Sequence, residues 1–176
     1  MADRVQREHT IRTARLMLRR MTAEDALRVY EIQSNWNVAR MLRRALFPPS
    51  LDDIRRWLTP HEGEWVSGTA YRFAVVLGDR LVGCADVDEI SHASGELGYW
   101  LDEGFWGRGI ASEAAEAVLR FAVTTVGLKR LSSGHAIDNP ASGRILTKLG
   151  FSPTGETKLW SRSRREEIIQ IQYELR

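Results

Sequence analysis

The chain of 176 residues is almost without cysteine: Cys84 stands alone. A single cysteine excludes an internal disulfide and a cysteine metal cluster, and it suits a reducing compartment. Histidine is scarce as well. His9, His61, His92 and His135 are scattered, without the close spacing that metal ligands show. Long apolar runs are missing, so no segment reads as a membrane span. Residues 1–12 are polar and charged, unlike a secretory signal. These absences together give the expectation of a cytoplasmic protein. The charge excess is only +2. That supplies no general attraction to nucleic acid or membrane, although a local basic patch can still serve an anionic ligand.

What the chain does contain is an ordinary globular mixture, with a length that fits one domain. Residues 1–10 read as a flexible polar arm and 11–176 as a single domain. Residues 15–20 alternate around Leu16 and Leu18, as a strand does. Thr22, with Asp25 three residues on, caps a helix through Ala26, Val29, Tyr30 and Ile32. After Pro48-Pro49, Ser50 caps a second helix carrying Leu51, Ile54, Trp57 and Leu58. Tyr71, Phe73 and Val75 alternate into a turn at Gly78-Asp79, and 81–87 return. Residues 95–101 form a fourth strand. A helix follows from Ala111 with Ala114, Val118 and Ala122 in its stripe, and Gly127 ends it. Residues 131–137 give a fifth strand. Asn139 and Pro140 then open a helix, as cap and first position. Two last strands, near 154–160 and 167–173, suit an antiparallel hairpin.

The richest stretch is Trp106-Gly107-Arg108-Gly109-Ile110-Ala111-Ser112. Two glycines flank an arginine where a helix begins. Unpaired N–H groups and the helix dipole make that place a socket for phosphate. It is no Rossmann turn, because it follows the fourth strand and lacks a third glycine at 112. Nor is it a P-loop, because no Gly-Lys-Ser/Thr follows.

These residues resemble the GNAT superfamily of acetyl-CoA-dependent N-acetyltransferases, and within it the RimJ/RimL group. The resemblance runs over nearly the whole chain. It is carried by Thr13-Ala14-Arg15-Leu16 with Leu18-Arg19, by Leu81-Val82-Gly83 and by Gly95-Glu96-Leu97-Gly98-Tyr99-Trp100-Leu101. It continues through the Trp106 to Ala114 stretch, and through Asn139-Pro140-Ala141-Ser142 to Leu149-Gly150-Phe151. Trp106 takes the place of the general pattern's Gln or Arg, a departure that RimJ/RimL-like chains share.

The resemblance implies an α/β (α+β) fold. Its sheet is mixed and mostly antiparallel, with six or seven strands, about four flanking helices, and the fourth and fifth strands parallel and splayed. It implies acetyl-CoA as acetyl donor and no metal. The cofactor set is Leu101, Trp106, Gly107, Arg108, Gly109, Ile110, Ala111, Ser112, Asn139 and Ser142. Glu96 is the implied acceptor of the amine proton, ahead of Glu156 and Glu166. Ser142 is the implied hydrogen-bond donor to the departing thiolate, and Asn139, implied as catalytic alongside Glu96 and Ser142, contacts the pantetheine arm. His135 and Asp138 lie three apart on a strand and point to opposite faces, so they make no dyad. Cys84, beside Val82, reads as core. Trp100 and Trp106 are placed to wall the acceptor channel, whereas Trp57 and Trp65 pack or line a cleft built by residues 30–65. The Arg162, Arg164, Arg165 run reads as a solvated turn. Its alternative is a guide for an acidic acceptor or for the CoA 3′-phosphate.

The expected function is acetyl transfer to a primary amine, foremost a protein or peptide N-terminus, by a monomer or homodimer without direct nucleic-acid or membrane partners. The alternatives are a small-molecule amine as acceptor, or a non-catalytic CoA-binding module.

Overall fold

The computed structural model describes residues 10–176. Apart from Thr10, the expected N-terminal arm lies outside the described residues. The strands are β1 (Ile11–Arg12), β2 (Leu16–Arg20), β3 (Tyr71–Leu77), β4 (Arg80–Ser91), β5 (Ser94–Leu101), β6 (Arg130–Ala136), β7 (Ser152–Ser161) and β8 (Glu166–Leu175). They form one eight-stranded sheet in the order β1-β2-β3-β4-β5-β6-β8-β7. Every neighbouring pair is antiparallel except β5 and β6, which run parallel. The expected class, and the parallel pair at its centre, are those observed. The sheet has one strand more than six or seven because Ile11–Arg12 pairs with Leu18 and Met17. Two residues are too few to show a period of two.

The helices are α1 (Ala26–Gln33), α2 (Trp36–Ala39), α3 (Leu51–Leu58), α4 (His61–Ser67), α5 (Ile110–Phe121) and α6 (Pro140–Lys148). α2 and α4 are additional to the expected four, and each is too short to display a 3.6-residue stripe. Local chemistry sets the ends of the others. At α3, the Asp53 N–H donates to the Ser50 hydroxyl at 3.1 Å and the Ser50 N–H to the Asp53 carboxylate at 3.0 Å, a reciprocal cap. α5 passes into one π-helical turn, Ala122–Val126, and stops at Gly127, whose φ of +85° suits glycine.

The two faces of the sheet carry separate apolar clusters. On one, Phe73, Val75, Leu97 and Leu101 pack against Ile110, Ala114 and Val118 of α5 and Leu146 of α6. On the other, Ala74 and Cys84 pack against Val29 and Ile32 of α1 and Ile54 and Leu58 of α3. Each large apolar side chain buried this way contributes about 1.5–3 kcal/mol. Trp65 of α4 closes the first cluster, edge-on to Tyr71 and Phe73. Among the described residues no helix is long and apolar enough to cross a membrane.

Candidate active site

The site begins where β5 and β6 part. Their pairing runs through Ser94–Arg130, Gly95–Leu131 and Glu96–Ser132 and goes no further. Backbone groups along a strand point alternately to its two neighbours. The Asp102 N–H donates to the Val82 carbonyl on the β4 side, while the Leu97 carbonyl accepts from the Ser133 hydroxyl of β6, both at 2.8 Å. The odd-numbered residues of β5 therefore turn their backbone toward β6. Past Leu97 the strands diverge, and the Tyr99 and Leu101 amides face an open wedge. The Leu101 carbonyl accepts from the Trp106 indole at 3.0 Å, which seats that ring at the mouth of the wedge.

Beyond the wedge lies the glycine turn. Gly107 and Gly109 have φ of +71° and +73°, conformations costly for other residues. Among the described residues no side chain caps α5, so its first N–H groups are left for a ligand. A Cβ at Gly107 would meet nothing within 4 Å, so the turn is open rather than packed. It is held from behind. Glu113, in the first turn of α5, accepts from the Thr13 hydroxyl at 2.5 Å, the Arg15 N–H at 2.9 Å and the Arg15 Nε at 2.7 Å. Arg15 also donates to the Arg108 carbonyl at 2.9 Å.

A cleft of about 460 Å³ runs along this turn and the wedge. Leu101, Trp106, Gly107, Gly109, Ile110, Ala111, Ser112, Asn139 and Ser142 all line it. Arg108 is not a lining residue; its exposed guanidinium lies over the Phe105 ring.

Asn139 caps α6, its side-chain oxygen accepting from the Ser142 N–H at 3.4 Å, and Pro140 occupies the first turn. That cap aims Ser142 across the wedge at Tyr99. Their hydroxyls are 2.9 Å apart, and Tyr99 also reaches the Ser142 carbonyl at 3.1 Å. Burial pushes Tyr99 up to about 12, against a smaller opposing effect of the Ser142 hydrogen bond. It therefore stays protonated at neutral pH. Tyr99 was legible in the sequence only as one apolar position of an alternating strand; its role depends on a partner 43 residues away.

A second cleft, of about 480 Å³, opens on the far side of β5. Residues 30–65 supply part of its wall, including Trp57, as expected; strands β3 to β6 and β8, Ser142 of α6 and Arg162 supply the rest. The two clefts share Tyr99, Trp100 and Ser142, with Met41, Leu42, Gly134 and His135. They meet at the Tyr99–Ser142 pair. Trp100 thus walls both, whereas Trp106 lines only the first and Trp65 is core.

Three carboxylates lie on the floor of the second cleft. Asp88 pairs across the ladder with Glu96, and Asp86 with Gly98. A Cβ at residue 98 would stand 2.5 Å from the Asp86 carboxylate, so glycine makes room for that group. Arg72 of β3 bonds Asp88 at 3.1 Å, lies 4.0 Å from Asp86, and also bonds Glu64. Burial, and then the Asp88 charge, push Asp86 up to about 7. Burial likewise raises Glu96, with Asp88 and Glu89 adding to it. Glu96 is therefore placed in the second cleft, while the exposed Glu156 and Glu166 line neither. Asp86 and Asp88 escape a reading of β4 alone, because only the β4–β5 register brings them beside Glu96. Among the described residues no cluster of His, Cys, Asp and Glu is placed to hold a metal ion.

His135 donates from Nδ1 to the Ala136 carbonyl at 2.8 Å, and Asp138 binds Arg164 and Arg40, so the two form no dyad. Cys84 is fully buried, and burial holds its thiol well above its ordinary range. Arg164 is no solvated residue: it is 10% exposed and holds Asp138 and the Arg40 carbonyl.

The acetyltransferase (GNAT) domain model matches residues 15–152. The chain belongs to the GNAT acetyltransferase family. This GNAT chain is 28% identical over 150 residues to the uncharacterized N-acetyltransferase p20 of Bacillus licheniformis, covering 83% of itself and 84% of that protein. It is 30% identical over 107 residues to the ribosomal-protein-serine acetyltransferase of Escherichia coli K12, covering 60% of each. Among solved structures, the ribosomal L7/L12 α-N-protein acetyltransferase RimL superposes with a TM-score of 0.83 at 19% identity, over 96% of this chain and 94% of that one. That likeness is one of fold. A second RimL structure, in complex with coenzyme A, gives a TM-score of 0.79 at 18% identity, over 93% of this chain and 97% of that one.

Proposed function

We propose that this acetyltransferase moves the acetyl group of acetyl-CoA directly to the α-amine of a protein or peptide N-terminus. The observation that carries this reading is the meeting of the two clefts at Tyr99 and Ser142. One cleft offers uncapped helix N–H groups suited to phosphate; the other offers carboxylates suited to an ammonium. Holding both substrates at one point removes much of the cost of their encounter.

In the proposed reaction the CoA pyrophosphate rests on the turn from Gly107 to Ser112. The thioester lies in the wedge, its carbonyl facing the Tyr99 and Leu101 amides, which stabilise the charge of a tetrahedral intermediate. The amine enters over Glu96, Asp86 and Asp88. Its nitrogen forms the C–N bond and its proton passes to the carboxylate cluster, with Glu96 as the acceptor. The intermediate collapses by breaking the C–S bond. Ser142, whose hydroxyl is shared with protonated Tyr99, donates to the leaving thiolate. An α-amine with a pKa of about 8 is far closer to neutral than lysine at about 10.4. Weakly basic carboxylates therefore suffice for it. The ribosomal-protein-serine acetyltransferase named above supports the same acceptor class.

The test is thiol release from acetyl-CoA with a panel of peptide N-termini, lysine side chains blocked, beside small amines. N-terminal peptides are expected to turn over fastest. Turnover confined to small amines replaces the acceptor; no turnover with any amine removes the activity.

A further inference from the structure

The second cleft carries both signs of charge. Its floor on β4 and β5 is acidic: Asp86, Asp88 and Glu96. Arg72 of β3 is bonded to that floor, and the lining also includes Arg43 and Arg44 from the α2–α3 connection, Arg56 from α3 and Arg162 from the β7–β8 turn. Arg44 bonds Glu89 and lies 3.7 Å from Asp88, and Arg56 pairs with Asp53. Arg43 and Arg162 differ. Among the described residues neither guanidinium has a carboxylate within ion-pair distance or a hydrogen-bond acceptor.

These two arginines are neighbours, for the Arg162 N–H donates to the Arg43 carbonyl at 2.8 Å. Their mounting is rigid. Ser161 and Ser163 are buried and hydrogen-bonded to each other at 3.1 Å, which turns Arg162 outward between them. Arg164 ties the same turn to the Arg40 carbonyl at 2.7 Å and to both Asp138 oxygens at 2.9 Å. Much of this turn's bonding fixes where Arg43 and Arg162 stand, while neither guanidinium is bonded to a carboxylate; the Arg43 charge reaches Glu96 only through space, opposing the rise of its pKa. Guanidinium is the side chain best matched to a carboxylate, which it meets with two parallel hydrogen bonds. Neither arginine lines the first cleft, whose basic side chains are Arg144 and Lys148. A role toward the phosphates of the donor therefore does not fit them.

Resting on the amine-acceptor reading above, we propose that Arg43 and Arg162 form a carboxylate-binding pair that selects acceptors with an anionic group close behind the reacting amine. The ammonium lies on the Asp86, Asp88 and Glu96 floor, and the carboxylate reaches across to the arginines. A cationic group in place of the carboxylate meets two guanidinium cations that have no bonded carboxylate, and is rejected. The shared chemistry is an ammonium and a carboxylate in one molecule. Its sources are a peptide with Asp or Glu just after its N-terminus, or a free amino-acid-like acceptor.

The experiment uses C-terminally amidated peptides carrying Asp, Asn or Lys at the second and third positions. It adds free amino acids beside their amides, all at saturating acetyl-CoA. In the wild type, kcat/KM is expected to favour Asp over Asn by about tenfold and over Lys by more. Arg43→Gln and Arg162→Gln should each shrink that preference, through KM for the acidic acceptor and not through KM for acetyl-CoA. Arg162→Lys should restore part of it. Equal kcat/KM for Asp, Asn and Lys peptides, and for amino acids and their amides, overturns the proposal. So does a preference that survives both glutamine substitutions. If only amino acids turn over and their carboxylate preference needs the arginines, the pair stands and the peptide reading falls. For acceptors that do not turn over, binding to the CoA complex, read by fluorescence at Trp57 and Trp100, decides. Tighter binding of the Asp peptide, lost in the variants, upholds the pair, and its absence overturns it.

Discussion

Arg15 and Glu113 are 98 residues apart in the chain and are joined by two hydrogen bonds, of 2.9 Å from the backbone and 2.7 Å from the guanidinium. They brace the turn between Trp106 and Ile110 from the side opposite its ligand face. Arg15 is 47% exposed, so the pair contributes at most about 1 kcal/mol to stability. Arg15→Ala is expected to leave the melting temperature nearly unchanged while weakening acetyl-CoA binding about tenfold, because the Arg108 carbonyl loses its anchor. Calorimetric titration beside a thermal melt separates the two. Loss of stability with intact affinity contradicts the bracing.

Gly109 supports a sharper expectation. At φ of +73° a β-branched residue is strained, and its Cβ would stand 3.5 Å from the Arg15 guanidinium that braces the turn, so the turn would be distorted. Acetyl-CoA should raise the wild-type melting temperature and leave that of Gly109→Val where it is. Equal stabilisation of both proteins rules out the cradle.

Gly98→Ala tests the crowding at the carboxylate floor. The new methyl would meet Asp86 at 2.5 Å, and that carboxylate is only 14% exposed and has little room to retreat. Overpacking of this kind costs about 1–3 kcal/mol. A urea unfolding curve reads it directly. An unchanged midpoint means that Asp86 rotates away freely.

The Tyr99–Ser142 pair predicts coupled losses. Ser142→Ala should lower kcat ten- to a thousandfold, in the range of single hydrogen-bond and proton-transfer contributions, with acetyl-CoA affinity kept. Tyr99→Phe should lower it too. The double variant should be little worse than Ser142→Ala, because the two hydroxyls act as one donor chain. Fully additive losses dissolve the pair.

Asp86 gives stability a pH dependence of definite sign. Its folded value of about 7 stands above the ordinary 3.8. Between those values the folded chain holds a proton that the unfolded chain has lost, so this group lowers stability as pH rises from about 4 to about 7. Above that range the loss is complete and flat. Asp86→Asn should remove this descent. Unfolding midpoints at pH 5 and pH 8 that differ equally in wild type and variant contradict the assignment.

The parts of the site that lie within one stretch of chain were legible in the sequence. Gly107, Gly109 and the start of α5 form a local motif whose spacing points to a phosphate seat; cap chemistry gives Asn139 and Pro140 as a helix start, while the roles of Asn139 and Ser142 come from the resemblance to GNAT chains. What stayed hidden depends on register between strands. The sequence shows Asp86 and Asp88 alternating with buried neighbours; it does not show that they stand opposite Gly98 and Glu96. Nor does it show Tyr99 beneath Ser142, or Arg15 behind Glu113. In the arginine run, like charges concealed opposite roles. Arg162 lines a cleft, while Arg164 is built into the frame.

Along β5, Glu96, Gly98 and Trp100 share one face with the carboxylate floor, and Leu97, Tyr99 and Leu101 share the other with the helices. One strand thus serves two clients by parity alone. A slip of the whole strand by one residue would send the tyrosine to the ammonium side and the glutamate into the apolar core, exchanging the jobs of the two faces. Substitutions in this strand spoil one contact at a time, whereas a one-residue shift of frame would dismantle both halves of the site at once.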